Sequence, residues 1–375
     1  MLTHKTMAIV FANMHDKSIP DLTEVRSMAS LPIGARYRMI DFYLSSFVNA
    51  GITNVGIVVK SNYHSLMDHL GAGREWDLSR KIEGLSIFPP FSTIEYGELY
   101  HGRIGALYEV LSFIRDSKAE YVVMADCNHM ANFDVEAFVN EHIESGAQVS
   151  MVCSPNLNLG RKVEASSVCV KYDESMRITD ILSGARCPDG GADSLNLFIV
   201  NKDCLVDTVE DAYSRSINFF EREILTPNVD KIHIHCILHT DFVRRVYDNR
   251  SYVDASMALL DPVVRDALFN TTRKIYTKVR DDAPAKYGLD AVVKNSLIAD
   301  GCVIEGTVEN SIVFRGVRVE KGAVVRNCVL MQDTVISSGA NVESILTDKN
   351  VTIHSGRHLA GHNSYPLYIK KYSIV

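Results

Sequence analysis

The chain lacks the marks of several protein classes. Its eight cysteines (Cys127, Cys153, Cys169, Cys187, Cys204, Cys236, Cys302 and Cys328) include no C-x-x-C pair. That spacing speaks against a zinc site or a dithiol motif and suits reduced thiols in a cytosol rather than a disulfide framework. No apolar stretch approaches the roughly 18 residues that a membrane helix needs. The N-terminus has no basic region followed by an apolar run, so no signal peptide is expected and a cytoplasmic location is. Positive charge is also in deficit: 39 Lys and Arg stand against 46 Asp and Glu, a net charge of −7. Such a balance disfavours nucleic acid or an anionic membrane as a partner.

What is present is ordinary globular material. At 375 residues, 46% hydrophobic and 23% charged, the chain has enough for two domains with a real core. Up to about residue 245 strand and helix signals alternate. Met7–Phe11, Asn54–Val59 and Tyr121–Ala125 read as buried strands. Met39, Tyr43 and Phe47, with Ile40, Leu44 and Val48, form two i,i+4 rows on a helix that begins near Arg36 and ends at Gly51. The alternation predicts an α/β, doubly wound, mostly parallel sheet over residues 1–245, with ligands at the carboxyl ends of its strands. Residues 246–288 form a connecting segment.

Over residues 289–375 the texture changes. Ile298-x-x-Gly301, Val319-x-x-Gly322, Ile336-x-x-Gly339 and Ile353-x-x-Gly356 recur at 21, 17 and 17 residues. Intervals close to three hexapeptides predict a C-terminal left-handed parallel β-helix of about four coils, each hexapeptide burying an aliphatic residue.

Residues 7–42 carry the most specific motif. Pro32, Gly34, Tyr37, Arg38, Ile40, Asp41 and Phe42 fall in place on the P-A-V-P-F-G-G-x-Y-R-I-I-D-F stretch of the ADP-glucose pyrophosphorylase (glucose-1-phosphate adenylyltransferase) family. The chain resembles that family over roughly residues 5–370, and within it the GlgD-type subunit more than the catalytic one. The resemblance implies a nucleotidyltransferase-like domain followed by a hexapeptide β-helix. The family's chemistry joins a nucleoside triphosphate to glucose 1-phosphate and needs Mg²⁺ held by carboxylates, with cations around the phosphates.

The residues for that chemistry are altered. Where the family's glycine-rich phosphate loop should lie, this chain has Asn13, Met14, His15, Asp16, Lys17 and Ser18. Side chains there crowd the close backbone approach that a triphosphate needs, and Asp16 brings negative charge where phosphates would sit. Met28 replaces a phosphate-binding lysine, Asn128 and Asn218 replace two metal-binding aspartates, and Gly184 replaces the lysine that grips the sugar phosphate. Gly102-Arg103-Ile104-Gly105-Ala106 stands where the family has G-T-A-D-A. Asp126 is a weak substitute metal ligand, and a hydrogen bond to a neighbouring loop is at least as good an account of it.

Two basic groups stand out. His233, His235 and His239 alternate on one strand face, resembling a metal site, although a solvated strand face is the plainer reading. Arg244, Arg245 and Arg250 are candidates for a small anionic effector, against a solvated surface. The resemblance implies a regulatory or structural subunit with little activity alone and no cofactor of its own. Mg²⁺ is expected for the assembled enzyme. The partner would be a catalytic subunit, in a heterotetramer serving glycogen synthesis. The rivals are an active nucleotidyltransferase binding metal through Asp126 or Asp16, and an acyltransferase using the β-helix.

Overall fold

The computed structural model describes residues 5–90, 102–155, 157, 167–362 and 364–375. The first strand, β1 (Thr6–Phe11), is buried along its whole length. Its loop carries one short α-helical turn, α1 (Pro20–Thr23), between two 3₁₀ turns at Asp16–Ser18 and Met28–Ser30. A small hairpin of β2 (Pro32–Ile33) and β3 (Tyr37–Arg38) then feeds α2 (Met39–Asn49). This helix starts at Met39 rather than near Arg36. Arg38 is extended, and the Asp41 carboxylate accepts its backbone N–H at 2.9 Å, which fixes Arg38 as the cap. The other Asp41 oxygen lies 2.6 Å from His69 Nε2.

Alternation continues through β4 (Asn54–Val58), α3 (His64–Leu70), β5 (Gly84–Phe88), α4 (Gly102–Glu109), α5 (Leu111–Asp116) and β6 (Tyr121–Asp126). Next come β7 (His129–Ala131), α6 (Val135–Ser145), β8 (Val149–Ser154), β9 (Val168–Tyr172), β10 (Ile178–Ser183), β11 (Ala192–Asn201), α7 (Lys202–Ser214), β12 (Ile234–Leu238) and β13 (Val243–Arg245). One side of the main sheet is parallel, in the order β6-β1-β4-β5. The other side turns antiparallel at β11, which pairs with β6, β8 and β9. Val and Ile runs without alternation, as in β1 and β6, suit a sheet covered on both faces. Core clusters lie on each side of it, one holding Val10 and Phe42 and the other Ile9 and Phe198.

After α8 (Asn249–Ala258) and α9 (Pro262–Leu268), the chain winds into three parallel sheets of five strands each, the prism of a left-handed β-helix. Five rungs are therefore present where the repeat pattern suggested about four. The first strand is Lys286–Tyr287, ahead of position 289. Register also explains the uneven 21-residue interval. Ile298 pairs with Val313 on one face, whereas Ile304, Val319, Ile336 and Ile353 follow one another on a different face. Val308, Val325 and Val342 line the third, fully buried. The corners need left-handed backbone, which Gly322 (φ +73) and Gly339 (φ +71) supply without a Cβ penalty.

The prism packs on the N-terminal domain through a buried ion pair between Arg26 and Asp348. Among the described residues no helix is long and apolar enough to cross a membrane.

Candidate functional site

The carboxyl ends of β1 and β6 lie side by side, with Phe11 paired to Asp126. In a sheet of this type, that is where a ligand belongs. The place is filled by the protein itself. Arg103, in the first turn of α4, sends its guanidinium onto Asp126 in a two-pronged pair of 2.7 and 3.1 Å. The same Nη2 reaches Glu221 Oε1 at 2.8 Å. Phe11 and Phe198 lie against the guanidinium, their ring centres 4.8 and 4.9 Å away. His15 Nε2 completes the cluster, 2.7 Å from Asp126 Oδ2.

Arg103 and Asp126 are 5% and 1% exposed, so the electrostatics are strong. Burial alone would raise the Asp126 carboxyl, but Arg103 and His15 override it and hold it at about 2. Burial opposes the charge on Arg103 too, and the two carboxylates more than compensate, lifting it above its ordinary value. Local backbone supports this. Gly102 has φ +64, and a Cβ there would lie 2.1 Å from the Asn218 carbonyl oxygen, so only glycine lets α4 dock. That carbonyl accepts the Ile104 N–H at 3.2 Å.

The loop expected to have lost its phosphate cradle is knitted to itself. Asn13 accepts the Lys60 N–H at 2.8 Å and donates to Asp16 Oδ2 and to the Ser61 carbonyl. Asp16 turns inward, where its other oxygen accepts the Met28 N–H at 2.7 Å. Burial raises its carboxyl to about 6. The Met28 side chain joins the main hydrophobic cluster. Met14 and Ser18 are partly buried and Lys17 is exposed.

Asn128 is fully buried, and its amide oxygen lies 3.4 Å from Asn196 Nδ2. The Asn218 backbone N–H and that of Phe219 both donate to Glu223 Oε2, ahead of a π-helical turn over Phe220–Leu225. Gly184 closes β10 at φ +65 and donates its N–H to the Ser167 carbonyl. The side chains present do not fit a divalent cation as arranged, because Arg103 engages both oxygens of Asp126. Among the described residues no group of three or more His, Cys, Asp or Glu is placed to hold a metal.

Two of the three histidines are not on a solvated face, and His233 is half-buried. His235 is 7% exposed and sits 3.0 Å from Glu141, while His239 is buried beside Phe133 and Phe138. The arginines do not form one surface either. Arg245 is buried opposite His129 on the β13–β7 ladder, Arg244 lies over the Phe242 ring, and Arg250 reaches Asp254 at 3.9 Å.

A stronger basic cluster lies elsewhere. A cleft of about 290 Å³ between the two domains is lined by Arg36, Arg38, Lys278, Arg280, Arg315 and Lys349. Asp68 pairs with Lys278, and Asp282 sits near both Arg280 and Arg315. Burial first, then Arg38 and Arg26, push the Lys349 amine down to about 7. Sequence reading missed this cleft because its residues come from distant segments. The visible signal was the retained Tyr37-Arg38 motif, whose Arg38 donates to the Ser65 carbonyl and hydroxyl at the cleft wall.

A parallel-centred sheet with its site at the strand ends, followed by a hexapeptide prism, defines a nucleotidyltransferase-type protein. Residues 17–160 match the family model described as nucleotidyl transferase, and residues 282–364 match the GlmU-like, C-terminal hexapeptide model. The chain is 36% identical to "Glycogen biosynthesis protein GlgD" of Geobacillus stearothermophilus over 86% of this chain and 84% of that one. It is 33% identical to the protein of the same name from Bacillus subtilis (strain 168), covering 99% of this chain and 97% of the relative. It is also 27% identical to "Glucose-1-phosphate adenylyltransferase" of Fervidobacterium nodosum, over 97% of this chain and 88% of that one. The chain belongs to the GlgD-type group of the glucose-1-phosphate adenylyltransferase family.

Proposed function

We propose that this chain is a regulatory or structural, non-catalytic subunit of glucose-1-phosphate adenylyltransferase in glycogen biosynthesis. It assembles with a catalytic chain of that enzyme as a heterotetramer, and the catalytic chain holds the Mg²⁺. The observation that carries this reading is the clamp of Arg103 on Asp126, at the strand end where a metal-bound triphosphate would sit. With Met28 turned into the core and Asn128 buried, no charged side chain remains at those two positions to bind or polarise phosphate. An active enzyme using Asp126 or Asp16 would first have to release both carboxylates from their internal partners.

The cationic cleft between the domains is the place for a small anionic effector, in preference to Arg244, Arg245 and Arg250. Co-expression with a catalytic chain from the same cell, followed by size-exclusion chromatography and kinetics, is the test. Co-elution with a changed kcat, KM or effector response is expected. Separate elution with unchanged kinetics overturns the reading.

A further inference from the structure

The family's chemistry requires a divalent cation, and the carboxylates at this strand end do not leave room for one. We propose that the Arg103 guanidinium is a built-in replacement for that cation and closes the site to magnesium. The proposal does not depend on a partner chain.

Four features make this a cation site with a covalently attached occupant. The guanidinium takes both oxygens of Asp126 and one of Glu221, so two negative charges converge on it. Two aromatic faces, Phe11 and Phe198, close on the same group and favour an organic cation over a hydrated ion. The fork geometry matches a carboxylate as no spherical ion does. Gly102 and the Asn218 carbonyl lock the helix start that carries Arg103.

The consequence separates charge from bulk. Removing the guanidinium takes from Glu221 its cationic partner and leaves Asp126 with His15 alone of the two groups that held it, and a free cation can then do what Arg103 did. The experiment uses the full chain and four variants: Arg103→Lys, Arg103→Met, Arg103→Gln and Asp126→Asn. Thermal melts are run with methylguanidinium or Mn²⁺ against NaCl of equal ionic strength, and Mn²⁺ uptake is followed by paramagnetic resonance. The native chain is expected to bind no Mn²⁺ that Asp126→Asn abolishes, and to show no cation-specific change in Tm.

Arg103→Lys is expected to melt above Arg103→Met, although methionine fills the space with less desolvation. Arg103→Gln is expected to regain part of its lost Tm with about 1–10 mM methylguanidinium or Mn²⁺, as ligand linkage requires. Uptake of Mn²⁺ by the native chain that Asp126→Asn removes would overturn the proposal. So would equal Tm for the Lys and Met variants. Should Arg103→Gln not fold, the native titration and the Lys–Met comparison still decide.

Discussion

Arg26 and Asp348, 322 positions apart in the chain, meet at 2.6 Å with their side chains 2% and 1% exposed. The pair joins the loop after α1 to the fourth rung of the prism, and Tyr368 Oη lies 3.4 Å from the second Asp348 oxygen. Removing one partner strands a buried charge. Arg26→Ala is expected to cost about 3–5 kcal/mol, whereas Arg26→Met with Asp348→Leu together should cost far less. Urea midpoints of the single and double variants check this.

Catalysis by the isolated chain should be negligible. Without a catalytic companion, ATP, glucose 1-phosphate and Mg²⁺ are expected to give no ADP-glucose, where active enzymes typically reach kcat of about 1–10³ s⁻¹. Asn128→Asp is expected not to restore turnover, because Met28 stays in the core and Arg103 still covers Asp126. A coupled pyrophosphate-release assay on the purified chain decides.

The prism is held by its aliphatic columns. Val325 is fully buried between Val308 and Val342. Val325→Asp is therefore expected to abolish folding or assembly, with a cost of several kcal/mol. Val325→Ala should lower Tm without loss of solubility. Circular dichroism melts of the two variants separate a wrong register from a right one.

Lys349 gives the cleft a pH dependence. Its amine is pushed from 10.5 to about 7 by burial and by Arg38 and Arg26. Between those values the unfolded chain binds more protons, so this group's contribution makes stability rise with pH. Anion binding has the opposite sign. Sulfate, whose charge is constant, favours the ammonium form, so above pH 7 binding must take up a proton and affinity falls. The fall is at most about tenfold per pH unit. Lys349→Met should bind sulfate more weakly at pH 6 and show a flatter pH profile. Calorimetry in buffers of different ionisation enthalpy measures the proton uptake.

Much of the fold was legible because its signals are local. The buried strand at Met7–Phe11, the helix rows from Met39 to Val48 and the Gly-punctuated repeats each depend on neighbours within a few residues. The site was legible only as loss. Asn128, Met28 and Asp16 could be seen to differ from the family frame, but not where they turn. Asp16 faces the Met28 N–H through a loop closure that periodicity does not encode. Arg103 is 23 positions from Asp126 and 118 from Glu221, so their meeting is set by how α4 docks across the strand ends. The histidines in and beside β12 alternate like a solvated strand, yet α6 meets His235 and Phe133 meets His239, a tertiary fact with no trace in the spacing.

The cleft has one wall built by repetition. The Asp333 N–H donates to the Arg315 carbonyl and the Asn350 N–H to the Gln332 carbonyl, so Arg315, Gln332 and Lys349 hold equivalent places on successive rungs. Their backbones stack about 4.8 Å apart, as neighbouring strands do. Within the prism each rung contacts only its neighbouring rungs, so one of these side chains can change while the prism's backbone ladder stays in place. The wall behaves as a row of interchangeable tiles. A family of such chains can re-tile it from cationic to neutral or acidic, and so change which small ions it answers to, while prism, sheet and junction stay as they are.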